Sequence, residues 1–498
     1  MVSTRLVFFA CFLINSLAAD YVINNKRFPS DFMFGVATSA YQIEGGWNED
    51  GRTPSNWDHM THTRPEFVKD RSNGDIACDS YHKFKEDVAI MKKMGVKHYR
   101  FSLSWNRILP TGFPDKINEP GIAYYKNLIK ELKTNNIVPL VTIHHWDLPQ
   151  SLQNLGGFLN ASIVDWVADY ARVCYKAFGD DVKYWLTFNE AKQICMGGFG
   201  FGYYPPAIHS EGILEYVCAH NLLKAHAKAW HIYDKEFRAK QNGKVSVVLD
   251  SSAYIPASNK PEDKVATDTV LHFELGWFAN PIYNGDYPEI MKTRVAERSK
   301  REGRPKSRLP EFTEEEKALI KGTHDYFAMN TYTSYLVESI PDPGIQDPPT
   351  RWSDIGVNNF QPDTWENTTM EQDWFKIAPW GMRTLLKWIK YHYSNPEIIV
   401  TENGVCDYGD MEDDKRISYI RDNLSYLRDA MIEDGVRVFG YTVWSIIDNF
   451  EWQHGYTQKY GLYQVDFDDP KRTRRPKKSA DFYKKVCTTR CITDKCVV

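Results

Sequence analysis

Two glutamates follow short apolar runs, and as a pair they could cleave an acetal. Glu190 ends the run YWLTFNE, and Glu402 directly follows the run EIIVT. Acetal cleavage needs one carboxylic acid to protonate the departing oxygen and one carboxylate to attack or shield the anomeric carbon. A single glutamate in such a place is more often a surface charge. Because the same arrangement occurs twice, the sequence predicts a catalytic pair.

The pair can also supply its own acid. Two neighbouring carboxyl groups resist losing both protons, so one of them stays protonated near neutral pH. When the ionised partner forms a glycosyl ester, its negative charge disappears and the pKa of the other carboxyl should fall. The same residue can then deprotonate water, so one pair is sufficient for both steps of a double displacement.

Polar residues occur at the ends of most other candidate strands as well. Each could be an individually satisfied polar group, but together they predict one site, since the carboxyl ends of parallel strands meet at one edge of a sheet. These residues are Gln42, Glu44, Arg100, His144, His145, Trp146, Asp147, Asn189, Asn330, Tyr332, Trp444, Glu451 and Trp452.

The elements that must position these residues alternate between β-rich runs and longer amphipathic stretches. This βαβα order predicts a parallel sheet covered by helices. Eight strands with crossover helices favour an α/β fold of the (β/α)₈ or TIM-barrel type over an open sheet. The predicted strands are 32–38, 96–105, 137–146, 182–190, 244–250, 326–332, 397–404 and 436–444.

The intervening helices and one long connection complete the predicted architecture. Residues 338–372 are rich in Pro and Asp and should form a long insertion with low helix potential after strand six. No GxGxxG follows the first strand, which argues against dinucleotide binding. The predicted helices are 79–95, ended by Gly95, and 121–136, 164–178, 213–239, 378–393 and 414–434.

The composition and the N-terminus indicate an exported enzyme with a small substrate. The chain has 498 residues, 42% hydrophobic and 25% charged, with a formal net charge of -4. No basic block suggests a nucleic-acid or membrane partner. The apolar run after Met1 ends in small residues and is typical of a signal peptide. We therefore expect a leader at residues 1–19, one elaborated barrel domain at residues 20–498, and secretion to the extracellular space.

Cysteines and glycosylation motifs agree with export. Eight cysteines remain after the leader, and three of them lie in the last dozen residues, where a disulfide could hold the tail. Sequons occur at Asn160, Asn367 and Asn423. No contiguous zinc motif is present, so we expect neither a metal nor a cofactor.

The ordered motifs resemble glycoside hydrolase family 1 over nearly the whole mature chain. They are FMFGVATSAYQIEGGW, YRFSLSW, HHWDLPQ, WLTFNEA, MNTYT, APWGMRTLLKWIK, VTENGV, WSIIDNFEW and YGLYQVDF. The resemblance implies a retaining β-glycosidase in which Glu190 is the acid and base and Glu402 is the nucleophile. Arg100 would keep Glu402 ionised, and the hydroxyl of Tyr332 would orient its attacking oxygen.

The resemblance also implies a subsite for the non-reducing sugar. Glu451 would bind sugar hydroxyls and would repel the phosphate of a 6-phospho sugar. Departures from the family pattern are Ala191 in place of a usual Pro, His144, the sequence NTY around Asn330, and the segment 195–206. The residues implied for the subsite are Gln42, His145, Asn189, Asn330, Trp444, Glu451, Trp452 and Tyr460.

The chain resembles most the secreted insect members of the family, and several alternatives stay open. The main expectation is a β-glucosidase acting on small aryl and alkyl glucosides, and the runner-up is a myrosinase-type thioglucosidase. A catalytically inactive sugar-binding relative is a remote alternative. A metal-dependent hydrolase would rest on His144 and His145, but adjacent strand residues point to opposite faces. Glucose, galactose and fucose are not distinguished, and homodimer formation is left open.

Overall fold

The centre of the computed structural model, which describes residues 21–369 and 374–497, is a closed barrel of eight parallel strands. Neighbouring strands in the barrel are also consecutive barrel strands along the chain. The predicted leader at residues 1–19 lies outside the described residues. The barrel strands are β1 Met33–Ala37, β2 His98–Ser102, β3 Val138–His144, β4 Tyr184–Asn189, β5 Lys244–Asp250, β6 Phe327–Asn330, β7 Ile398–Asn403 and β8 Val438–Trp444.

Helices connect the strands and cover the outside of the barrel. Most follow the 3.6-residue period expected of a half-buried helix; in the helix Ile163–Phe178, for example, Ile163, Val167, Ala171 and Cys174 are buried. The helices of eight or more residues are α1 Asn56–Thr63, α2 Ser80–Met94, α3 Glu119–Thr134, α4 Ile163–Phe178, α5 Leu214–Ile232, α6 Pro261–Glu274, α7 Gly276–Asn284, α8 Glu289–Arg301, α9 Gly381–His392, α10 Asp414–Ile432 and α11 Lys478–Thr489.

The barrel predicted from the sequence is confirmed, and all eight predicted strands are present within a few residues of their expected bounds. The six predicted helices are present too. Gly95 ends α2 as expected: its φ of 73° is left-handed, which favours glycine, and its N–H bonds to the carbonyls of Met91 and Lys92.

The insertion after strand six has more regular structure than its composition predicted. Residues 334–339 form a strand that pairs in parallel with residues 253–256 and antiparallel with residues 357–360. A short helix, Arg351–Ile355, lies between the strand at residues 334–339 and the strand at residues 357–360. The local pattern could not show this small sheet, because one of its strands comes from the segment after β5.

The strand register brings polar residues of three neighbouring strands to the same level of the barrel. Asn330 of β6 is paired with Asp250 of β5 on one side and with Glu402 of β7 on the other. The pairing of β4 with β5 is irregular after Leu186, and that of β6 with β7 is irregular after Val400. Such irregularities redirect side chains at the rims of barrels.

Two disulfides are present within the described residues. Cys195 bonds to Cys218 of α5, which fixes the short helix that follows Glu190. Cys491 bonds to Cys496, so a disulfide is present in the C-terminal tail as predicted, but it closes a short loop within the tail and does not link the tail to another element. Across the described residues, none of the helices has the length and apolar character that a membrane crossing requires.

Candidate active site

A cavity of about 480 Å³ opens where the carboxyl ends of the strands meet. This is the face at which barrel enzymes carry their sites, and the volume suits a small ligand. Ten of the twelve residues predicted for catalysis or substrate binding line it, namely His145, Asn189, Glu190, Asn330, Tyr332, Glu402, Trp444, Glu451, Trp452 and Tyr460.

The other two predicted residues, Arg100 and Gln42, lie behind the cavity wall. A position behind the cavity wall is consistent with the expected role of Arg100, because Arg100 is expected to act through Glu402. Gln42 is not among the residues that line the cavity, and its contact with sugar stays a prediction. Its Nε2 donates to Asn449 Oδ1 (3.0 Å) and to the Phe450 carbonyl (2.8 Å), and its Oε1 accepts from the Ser39 hydroxyl. The side chain of Gln42 therefore supports the segment that carries Glu451.

Glu402, at the end of β7, is surrounded by hydrogen-bond donors. Arg100 Nη1 donates to Oε1, and the Tyr332 hydroxyl donates to Oε2 at 2.6 Å. The same guanidinium donates through Nη2 to Asn189 Oδ1 at 2.6 Å. Donors from β2 and from the segment after β6 therefore fix the orientation of both carboxylate oxygens of Glu402.

Glu190 lies in a different environment. It directly follows β4 with a left-handed φ of 45°, and Asn330 Nδ2 donates to its Oε1 at 2.7 Å. Burial raises the pKa of Glu190 well above its usual value, and the charges of Asp250 and Glu402 raise it further. Burial therefore favours the protonated form of Glu190.

A third carboxyl, that of Glu451, lies among the indole rings of the cavity. Burial and the charge of Glu402 raise the pKa of Glu451 to about 8, although a hydrogen bond from Trp444 opposes the shift. Its Oε2 has no hydrogen-bond partner in the described structure. The ring of His145 stacks between those of Trp444 and Trp452, with both centroids at 5.9 Å. This corner offers an open acceptor beside flat apolar rings, which suits a hexose.

The two adjacent histidines lie on opposite sides of β3. His145 faces the cavity, and its Nε2 lies 3.0 Å from Asn189 Nδ2. His144 packs outside the barrel against Phe158 and Phe188, at 5.5 and 5.9 Å between centroids. They cannot share one ion.

A group of buried charges beside Glu190 was missed by the sequence analysis. Lys192 Nζ lies 2.7 Å from Glu274 Oε2 and 3.1 Å from Asp250 Oδ2, and Arg351 Nη1 bonds to Glu274 Oε1. Burial acts to raise the pKa of Glu274, but Arg351 and Lys192 outweigh it and lower that pKa to about 2. The ion pairs hold Lys192, and thus the short helix after Glu190, against α6.

One of these residues could have been predicted. Asp250 ends the run KVSVVLD, so it carries the same signal, a carboxylate after an apolar run, that identified Glu190 and Glu402. Glu274 and Arg351 lie in helices far from any strand end. No local pattern distinguishes them from surface charges.

Comparisons with known proteins agree with this geometry. The family model described as "Glycosyl hydrolase family 1" matches residues 24–491. The chain is 46% identical to Myrosinase 1 of Brevicoryne brassicae over 472 residues, 93% of this chain and 99% of the relative. It is 44% identical to the cytosolic β-glucosidase of Homo sapiens over 467 residues, 92% of this chain and 97% of the relative.

A solved structure shows the same fold. A rice β-glucosidase, solved as a Glu-to-Gln mutant in a covalent complex with Glc, superposes with a TM-score of 0.87. It is 37% identical, and the match covers 93% of this chain and 99% of that one.

Proposed function

The chain belongs to glycosyl hydrolase family 1, and from that membership we propose that it is a retaining β-glucosidase with Glu190 as acid and base and Glu402 as nucleophile. The observation that carries the assignment is the contrast between the two carboxyls. Glu402 accepts from Arg100 and Tyr332, whereas burial and nearby charges raise the pKa of Glu190.

In the first step, Glu190 protonates the glycosidic oxygen and Glu402 attacks the anomeric carbon. Asn330 donates to Oε1 of Glu190, so the proton is expected on Oε2. The bond between the anomeric carbon and the leaving oxygen breaks as an ester bond to Glu402 forms, and the aglycone leaves as an alcohol. A covalent complex with Glc, as in the rice relative, is what this step would produce.

In the second step, water hydrolyses the ester with Glu190 as the base. The charge of Glu402 is one cause of the raised pKa of Glu190, and esterification removes that charge. The pKa of Glu190 therefore falls once its proton has been used, and its carboxylate can take a proton from water. The sugar is released with its original configuration, and both carboxyls return to their starting states.

The sugar subsite would be formed by Glu451 and the rings of Trp444, Trp452 and His145. The unpartnered Oε2 of Glu451 can accept from sugar hydroxyls, and the rings can cover an apolar sugar face. We retain Asn189, Asn330 and Tyr460 as further subsite residues, because they line the same cavity.

The thioglucosidase alternative is favoured by the 46% identity to a myrosinase, but 44% identity to a β-glucosidase is nearly equal. The cavity charge favours the β-glucosidase. A glucosinolate carries a sulfate, and among the described lining residues Lys192 is the one lysine or arginine. Its ammonium is already paired with Asp250 and Glu274. The aglycone side therefore suits a neutral group better than an anion.

A substrate panel separates these candidates. We expect hydrolysis of a nitrophenyl β-glucoside and of an uncharged alkyl β-glucoside, with slower turnover of a glucosinolate. Turnover of the glucosinolate without turnover of either O-glucoside would instead establish the thioglucosidase. The presence of both carboxyls argues against an inactive sugar-binding relative. Inactivity on the entire panel would instead support that alternative.

Two variants test the residue roles. Glu402→Gln should lose activity on every substrate, because no ester can form. Glu190→Gln should retain far more activity on a dinitrophenyl glucoside than on an alkyl glucoside, since the first leaving group needs no proton. Glu314→Gln, a surface carboxylate 86% exposed, provides the control. Equal losses on both substrates in Glu190→Gln would contradict the acid assignment.

We also propose that the chain is exported. The two disulfides within the described residues fit an oxidising compartment. Asn367 is exposed and Asn160 half-buried at the surface, so both remain glycosylation proposals. Asn423 is different: it is buried in α10, and its Nδ2 donates to the Tyr419 carbonyl, which counts against a glycan there. Secretion of the expressed full chain, with a mass decrease on glycan removal, is the expected result.

A further inference from the structure

A cluster of two histidines and one aspartate lies on the outside of the barrel, away from the cavity. Asp268 and His272 are four residues apart on α6, so they lie on the same face of the helix. His392 is the last residue of α9. One ligand atom from each residue lies within 4.8 Å of the others. None of the three lines the catalytic cavity.

The two imidazole Nε2 atoms of this cluster lie beside the two oxygens of one carboxylate, each at more than the distance of a good hydrogen bond. Asp268 Oδ2 lies 3.4 Å from His272 Nε2, and Asp268 Oδ1 lies 3.5 Å from His392 Nε2. A good N–H···O bond spans about 2.7–3.2 Å. Ligand atoms that are each about 2.05 Å from a tetrahedral Zn²⁺ are separated by about 3.3–3.4 Å. One carboxylate oxygen and the two ring nitrogens already lie within 4.8 Å of one another, so side-chain shifts of about 1 Å bring them to this spacing.

Neighbouring aromatic groups hold the three side chains in place. Trp388 Nε1 donates to Asp268 Oδ1 at 2.9 Å, which orients the carboxylate. The Trp388 ring stacks on His392 at 4.0 Å and meets the edge of His272 at 5.4 Å. Outer groups that orient ligands in this way are typical of metal sites. The side chains of His272 and His392 are 18% and 20% exposed, so an ion can reach them from solvent.

We propose that Asp268, His272 and His392 bind one divalent transition-metal ion, Zn²⁺ by preference, with water as the fourth ligand. Two imidazoles and one carboxylate are ligands that suit Zn²⁺ rather than Mg²⁺ or Ca²⁺. The bound ion joins α6 to α9. Because α6 ends at Glu274, which lines the cavity and pairs with Lys192, the ion also stabilises the helix that forms one wall of the active site.

The site is tested on the full chain after treatment with a chelator. Equilibrium dialysis against ZnCl₂ with elemental analysis should give one Zn²⁺ per chain, and Zn²⁺ should raise the Tm, because the ion binds only the folded protein. Asp268→Asn and His392→Gln should each lose this ion and the rise in Tm. Co²⁺ should give the visible absorption of a four-coordinate ion in the wild type and in neither of these two variants.

The chain offers a matched control at His82. This surface histidine also contacts two carboxylates, but Asp79 lies at Nδ1 (2.6 Å) and Glu49 at Nε2 (3.0 Å). Because they contact opposite ring nitrogens, they cannot share one ion, and His82→Gln should bind Zn²⁺ as the wild type does. Unchanged activity on a nitrophenyl glucoside shows that each variant is folded. No uptake by the wild type, or equal uptake by Asp268→Asn and His392→Gln, would overturn the proposal.

Discussion

The raised pKa of Glu451 leads to a quantitative prediction about sugar binding. Burial and the Glu402 charge raise that pKa to about 8. Sugar hydroxyls donate hydrogen bonds, so the form of Glu451 that accepts them best is the carboxylate. The ionised form of Glu451 should therefore bind a neutral sugar about ten- to a hundredfold more tightly than the protonated form, because a hydrogen bond to a charged group is worth about 1.5–3 kcal/mol, and the apparent affinity rises with the ionised fraction.

The size of the effect follows from the pKa. With a pKa of about 8, about 1% of Glu451 is ionised at pH 6, about 10% at pH 7 and about half at pH 8. The inhibition constant for glucose should therefore fall about two- to fivefold from pH 6 to 7, about three- to fivefold from pH 7 to 8 and about twofold from pH 8 to 9. Glucose binding at pH 7 should release about 0.4–0.8 protons for each glucose bound.

The assay is competitive inhibition of nitrophenyl glucoside hydrolysis by glucose between pH 6 and 9. Glu451→Gln should bind glucose without this pH dependence and about ten- to a hundredfold more weakly at pH 9, because a hydrogen bond to a charged group is worth about 1.5–3 kcal/mol. Calorimetry on Glu402→Gln should show the binding curve displaced to lower pH, since the Glu402 charge contributes to the raised pKa. An inhibition constant independent of pH in the wild type would refute the reasoning.

Three further predictions concern the surroundings of the acid. Asp250→Asn removes a charge that raises the pKa of Glu190, so the alkaline limb of kcat/KM should move to lower pH in a pH-rate profile. Lys192→Met leaves Asp250 without its ion-pair partner and Glu274 with Arg351 alone, and it should cost about 3–5 kcal/mol in urea unfolding; a loss under 1 kcal/mol would contradict this. Replacing Cys195 and Cys218 by serine opens a link across 23 residues and should cost about 3 kcal/mol in the same assay.

The sequence alone was sufficient for the barrel and for the two strand-end carboxyls that meet in one cavity. Strand alternation and helix periodicity are local signals, because each depends on which side of one element faces the core. The stop at Gly95 is local too, because it depends on the left-handed φ of one residue. The polar residues that end strands, among them Glu190, Asn330 and Glu402, are also local signals. In a barrel they converge at one rim, so their positions along the chain predicted the composition of the cavity.

Only the tertiary structure decided which polar groups touch one another. The sequence could not show that Gln42 supports the segment before Glu451, that Cys195 pairs with Cys218, or that Asn423 is buried. Nor could the sequence show that His392 lies close to Asp268, since the two residues are on separate helices and 124 positions apart. Such contacts depend on how elements that are distant in the sequence pack around the barrel. A contact of this kind produces no periodic pattern and no fixed spacing of residues in the sequence around either partner.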